Sequence, residues 1–304
     1  MSGPFRTGGD AGVELREQER ILRAALGILG SYLIVMLVPM SAWTLRSGAG
    51  AGIALHAAAI GLVALAYVNR LPTTARYWTP LALGPFLYIE LRWLVVGAGR
   101  PHADAQVFAW ERAFFPTNPS ATLAVAWHSA ALSEMLHAAY LSYYALIFLP
   151  PILLWLQRRR LPFLQTLLAL AVVYALCFTI YVLFPVDGPR FLHGPANAPN
   201  GPIRAIVVAL LESGSSRGTA FPSSHVAASV VASVCALRFQ RVLGVAVAVL
   251  TAGICFGAVY GGYHYAVDIV AGLATGAVAL LVAITLERRA AVPPAAPHHA
   301  ASRG

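Results

Sequence analysis

From residue 21 onward the chain returns again and again to the same pattern: about twenty apolar residues with few charges, then a short polar break. Eight such stretches stand out, at 21–43, 51–68, 79–97, 135–156, 163–184, 223–239, 242–260 and 265–286. Each approaches the length a helix needs to cross a hydrocarbon core of about 30 Å. The third carries Glu90 and Arg92, and the sixth is short. With 59% hydrophobic and 11% charged residues, the chain departs from a soluble domain, where about a quarter of residues are charged. The expected fold is therefore all-α: a polytopic membrane helical bundle of about eight spans.

All 21 basic residues are arginine and outnumber 12 acidic ones, giving a net charge of +9. With a cytoplasmic N-terminus and eight crossings, fourteen of the 21 arginines, among them Arg158, Arg159 and Arg160, fall on the cytoplasmic side, as the positive-inside rule requires. The excess reads as orientation and attraction to anionic lipid. No basic face on a soluble fold is visible, so nucleic acid is not an expected partner. Cys177, Cys235 and Cys255 lie singly inside apolar runs, with neither disulfide nor zinc spacing.

The organisation expected is a cytoplasmic segment at 1–20, two accessory spans within 21–78, a catalytic membrane domain at 79–286 and a disordered tail at 287–304 that includes His298 and His299. The first apolar run has no small-residue cleavage site and reads as an uncleaved span. Residues 98–134 are too broken by polar groups to span, which suggests interfacial helices. The expected location is a plasma (inner) membrane.

The chemistry concentrates in three places. At 261–268, Gly-Gly-Tyr-His-Tyr-Ala-Val-Asp, His264 and Asp268 are four residues apart, on one face of a helix, so the carboxylate can orient the imidazole. At 221–225, Phe-Pro-Ser-Ser-His opens a span. It is a helix start whose free N–H groups favour an anion, with Ser223 and Ser224 as further donors and His225 behind them. At 185–190, Pro-Val-Asp-Gly-Pro-Arg presents Arg190 after a turn, and Arg217 precedes the second motif. Guanidinium is the side chain best matched to phosphate. Alternating crossings put all three segments on the same, non-cytoplasmic face.

These residues resemble the type 2 phosphatidic acid phosphatase (lipid phosphate phosphatase) superfamily. Its Pro-Ser-Gly-His motif is matched by Pro222, Ser223, Ser224 and His225, and its His-x-x-x-Asp motif by His264 and Asp268. The family's first-motif lysine falls at Leu183, the proline after its arginine at Phe191 and its third-motif arginine at Ala258. These departures, with the Tyr-Ile-Glu-Leu-Arg-Trp and Gly-Arg-Pro segments, look more like the branch of inositol phosphorylceramide synthases and their bacterial relatives.

The resemblance implies a six-span core and a lipid phosphatase or headgroup phosphotransferase working through a phosphohistidine. His264 would be the nucleophile, oriented by Asp268, with His225 as acid and base. Arg190, Ser223, Ser224 and Arg217 would bind phosphate. The substrate would be a phospholipid or a polyprenyl or sphingolipid phosphate, the acceptor water or an alcohol, with no metal or cofactor required. Two other readings use the same residues: a metal enzyme with a His/His/Asp triad, and a transporter or channel whose polar groups line a path.

Overall fold

The computed structural model describes residues 8–194 and 196–291. Thirteen helices follow one another among them: α1 (Gly8–Ser47), α2 (Gly50–Tyr67), α3 (Thr73–Ala98), α4 (Asp104–Phe114), α5 (Pro119–Ala126), α6 (Ala130–Leu141), α7 (Tyr143–Leu156), α8 (Arg160–Leu183), α9 (Pro189–His193), α10 (Pro202–Gly214), α11 (Ser224–Phe239), α12 (Arg241–Tyr260) and α13 (Ala266–Ala291). Six of them, α1, α2, α3, α8, α12 and α13, are long and apolar enough to cross a membrane, and α6 with α7, bent by 42°, makes a seventh if taken as one span. All eight expected stretches are helical. The chain is a polytopic helical bundle.

Local chemistry accounts for the differences. The bend falls at Ser142, whose hydroxyl donates to the Ala139 carbonyl at 2.6 Å and so competes with the helical ladder. The sixth stretch, α11, has 16 residues, short of the other spans. Helix α10 was not among the expected elements. Helix α13 continues to Ala291, into the stretch read as tail; residues 292–304 lie outside the described part, as do 1–7.

The core is organised around α8. Residues 163–173 are all buried, as expected of a helix that is apolar on every face, and α1, α3, α7, α11 and α13 pack around it. Ile21, Leu22, Leu26, Leu29 and Leu33 of α1 are buried in this core, so the first span is built into the bundle. Glu90, the charge within the third stretch, is fully buried, with Oε1 2.9 Å from His56 Nδ1. His56 Nε2 lies 2.9 Å from the Leu33 carbonyl, which ties α1, α2 and α3 together. Buried ionisable groups in a membrane survive when paired in this way.

The two ends of the bundle differ. At one end Arg76 bonds Glu19 and the Ala66 carbonyl, and Arg238 pairs with Glu287. At the other, the C-termini of α8 and α12 meet the N-termini of α11 and α13. There α13 approaches α11 closely through Gly272 and Gly276, where an added Cβ would lie 2.7 Å from the Ser223 carbonyl and 2.9 Å from the Ala227 carbonyl. This is small-xxx-small packing.

Candidate active site

Three short segments converge at this second end. Residues 186 and 219 form a parallel bridge, with Ala220 N–H donating to the Val186 carbonyl at 2.8 Å. Gly188 turns the chain with φ +85°, and a Cβ there would meet Ala220 Cβ at 2.8 Å. Only glycine suits that turn, and it delivers Pro189 and Arg190 at the start of α9. The start of α11 is fixed by Ser223, whose Oγ accepts from Val226 N–H. Tyr181 Oη accepts from Ser224 N–H at 3.0 Å and donates to the Pro222 carbonyl at 2.8 Å. Ser223 N–H reaches the Asp268 carbonyl at 3.0 Å, joining α11 to α13. In the first turn of α13, Asp268 Oδ2 accepts from Tyr265 N–H at 2.8 Å and lies 3.3 Å from His264 Nδ1.

Arg190, Ser224, His225 and His264 line one recess of about 40 Å³. At about 10–15 Å³ of such space per water, this is room for a phosphoryl group and little more. The His225 and His264 rings face each other across it, centroids 6.3 Å apart. His225 is held by aromatic neighbours, stacked on Tyr140 at 5.1 Å and tilted against Tyr143 at 4.3 Å. The Arg190 guanidinium lies over the Phe191 ring at 4.4 Å and donates to Ser215 Oγ.

Burial pushes His264 down to about 4, with the Ala220 carbonyl opposing the shift and the Arg190 guanidinium adding to it. The imidazole is therefore a free base at neutral pH. His264 Nδ1 faces Asp268 Oδ2 at 3.3 Å, and a proton held on that side of the ring leaves the lone pair on Nε2.

The other sequence-derived residues stand further out. Ser223 is fully buried behind the recess as the α11 cap. Arg217 does not line it: its side chain is 65% exposed and bonds Asp187 Oδ2 through Nε at 3.0 Å and Nη2 at 2.7 Å. Among the described residues, the group whose ligand atoms gather within 4.8 Å, as a metal would need, is His102, Asp104 and Asp187. His225, His264 and Asp268 form no such group.

A second cavity, about 230 Å³ and mostly apolar, runs between α3, α7, α8 and α10. Tyr88, Leu211, Ser215, Ser224 and His225 line both cavities, so the two are contiguous. Tyr140, Tyr143, Ser215 and the whole of α10 escaped the reading of the sequence, and Tyr88 entered it only as the first residue of the Tyr-Ile-Glu-Leu-Arg-Trp segment. The only signal was the density of tyrosine at 140–144.

The family model described as the PAP2 superfamily matches residues 105–282. The chain belongs to the PAP2 superfamily. The match takes in Arg190, the 222–225 motif, His264 and Asp268, and leaves α1, α2 and α3 outside. PAP2 proteins are membrane phosphatases and phosphotransferases acting on lipid phosphates, which gives this chain an enzymatic role of that kind. No curated protein and no solved structure matches the chain.

Proposed function

We propose that the chain transfers a phosphoryl or phosphoalcohol group from a lipid to water or an alcohol through a phosphohistidine on His264. The observation that carries this reading is the junction of the two cavities. A hydrocarbon tail in the apolar one would present its phosphate to the recess where Arg190, Ser224, His225 and His264 meet.

In the first half-reaction His264 Nε2 attacks phosphorus, the bond from phosphorus to the leaving oxygen breaks, and His225, which takes up a proton when the anionic phosphate binds beside it, gives that proton to the leaving oxygen. Asp268 holds the Nδ1 proton and stabilises the imidazolium character that develops. In the second, His225 takes the proton of water or an alcohol, the new oxygen bonds to phosphorus, and the phosphorus–nitrogen bond breaks. Arg190 and the Ser224 hydroxyl stabilise charge on the equatorial oxygens. Ser223 and Arg217 support the site from outside the recess, Ser223 through the α11 cap and Arg217 through Asp187.

The substrate preference follows from charge. Leu183 is exposed and Ala258 is fully buried, so neither position supplies the cation found in the superfamily motifs; among the described residues Arg190 is the one guanidinium lining the recess, beside the Asp187 carboxylate that Arg217 pairs with. One cation matches a phosphodiester or lipid monophosphate better than a diphosphate. This favours headgroup transfer of the inositol phosphorylceramide synthase type. The arginines at the opposite end support a site on the non-cytoplasmic face under the positive-inside rule.

The test is turnover by purified protein in mixed micelles against lipid phosphodiesters, monophosphates and diphosphates, with and without alcohol acceptors, alongside His264→Ala. Phosphodiester or monophosphate turnover that disappears in the variant is expected. Exclusive turnover of diphosphates would overturn the substrate assignment, and undiminished activity of His264→Ala the mechanism.

A further inference from the structure

Helix α4 touches no part of the recess, yet it holds two of the three segments that form it. Asp104, Val107 and Glu111 are its buried residues, at positions i, i+3 and i+7 on one face. A buried carboxylate is tolerated where hydrogen bonds replace water, and both carboxylates here bond backbone N–H groups. Glu111, fully buried, accepts from Ala266 N–H at 3.1 Å and Val267 N–H at 3.0 Å. Asp104 accepts from Asp187 N–H at 3.0 Å and Gly188 N–H at 2.9 Å.

The first pair is a helix cap supplied from another helix. The leading N–H groups of a helix have no partner within it. In α13 the preceding residue, Tyr265, has a phenol in place of a short capping oxygen, and its own N–H is taken by Asp268. Glu111 completes the turn that carries His264 and Asp268. Asp104 does the same for the turn that delivers Arg190.

We propose that Glu111 and Asp104 are positioning residues that act on different steps, Glu111 by aiming His264 and Asp104 by holding the Arg190 turn. The inference rests on the roles proposed above for His264 and Arg190. A misaimed nucleophile leaves binding intact and slows displacement, which lowers kcat. A slack Arg190 turn weakens a contact made to the phosphate before and during reaction, which raises KM.

The test uses the full chain in detergent micelles. Glu111→Gln is expected to lower kcat about tenfold or more with KM within about threefold, and Asp104→Asn to raise KM about tenfold or more with kcat within about threefold. Val107→Ala removes packing from the same face without touching either carboxylate, and both constants should stay within about twofold. A Val107→Ala variant that reproduces either loss, or two carboxylate variants that lower kcat and raise KM alike, would reduce α4 to a structural support. Should Glu111→Gln fail to fold, Glu111→Asp, which keeps the charge one methylene back, replaces it. Diethyl pyrocarbonate labelling read by mass spectrometry needs no turnover: Glu111→Gln should change the rate of His264 modification about threefold or more relative to the exposed His128, and Asp104→Asn should not. Wild-type protein inactive on the whole substrate panel would sink the proposed function alone, and unchanged His264 labelling in Glu111→Gln would sink the positioning role.

Discussion

The His225 and His264 rings stand 6.3 Å apart between centroids and 58° from parallel, one in the first turn of α11 and the other in the turn before α13, where a bond runs from Ser223 N–H to the Asp268 carbonyl. A phosphorus atom between them would have one imidazole on either side, the arrangement an in-line displacement needs. Their separate roles can be told apart by the leaving group. His264→Ala should lose activity toward every substrate, by at least about 10⁴-fold. His225→Ala should lose about 10²–10⁴-fold with an alkyl leaving group and far less with a nitrophenyl ester, whose oxygen departs without a proton. Rapid quench with ³²P-labelled substrate checks both: acid-labile label on the protein is expected in His225→Ala with the activated ester and absent in His264→Ala.

The pH dependence has a definite sign. Burial lowers the His264 imidazole to about 4, and only its unprotonated form attacks phosphorus, so the rate is lost as pH falls through that value. With a nitrophenyl ester, whose oxygen departs without a proton from His225, the acid limb of kcat/KM should lie near 4, well below the ~6.5 of a free imidazole. Arg190 contributes to the lowering, so Arg190→Ala should move that limb to higher pH. A limb unmoved by Arg190→Ala would place the two groups further apart electrostatically than the recess implies.

The two arginines should behave unequally. Arg190 lines the recess, whereas Arg217 is 65% exposed and paired with Asp187. Arg190→Ala should cost about 10²–10³ in kcat/KM, the loss typical of removing one preorganised donor. Arg190→Lys should restore little of it, because a point charge does not reproduce a guanidinium stacked on Phe191 and bonded to Ser215. Arg217→Ala should cost less than about tenfold, as an exposed ion pair contributes little. Steady-state kinetics of the three variants on one substrate decides this.

The fold was legible because lipid removes choice: a twenty-residue apolar run has to be a helix, and its end is marked by arginine or by Gly and Pro. The His264 and Asp268 pair was legible from its four-residue spacing, but not as two positions on one helical face: α13 starts at Ala266, and His264 reaches Asp268 from the turn before it. Arg217 shows the limit. Its proximity to the second motif was readable, but its pairing with Asp187, 30 residues away, depends on how two loops cross. Glu111 was hidden for the same reason. A carboxylate between two arene-rich stretches reads as an interfacial charge until the start of α13, 155 residues later, is seen to bond it. Tyr140 and Tyr143 looked like ordinary span residues, and nothing in their spacing marks them as neighbours of His225.

The contact between α11 and α13 sets the distance between the imidazoles. An added methyl at Gly272 would lie 2.7 Å from the Ser223 carbonyl and 3.2 Å from Val226 Cβ, so the helices must part to accept it. Gly272→Ala should lower the melting temperature in detergent and reduce kcat together, since overpacking a close contact costs about 1–3 kcal/mol. Gly61→Ala, where a Cβ meets nothing within 4 Å, should do neither. Thermal unfolding and turnover of the two variants provide the comparison.

The apolar cavity makes a prediction about chain length. At Gly84 a Cβ would meet nothing closer than Tyr174 Cε2 at 3.7 Å, so a leucine there can enter the cavity without moving backbone. Both residues line the apolar cavity and neither lines the polar recess, which leaves Arg190 and the two imidazoles undisturbed. If the cavity holds the tail, Gly84→Leu should weaken long-chain substrates by about 0.8 kcal/mol for each methylene it excludes, roughly fourfold in kcat/KM each. Short-chain or water-soluble phosphate esters, which never reach Gly84, should be turned over at the wild-type rate. A homologous series of chain lengths read with both proteins should therefore show two lines that coincide for short chains and diverge for long ones. Parallel lines across the whole series would place the tail outside this cavity, against the lipid.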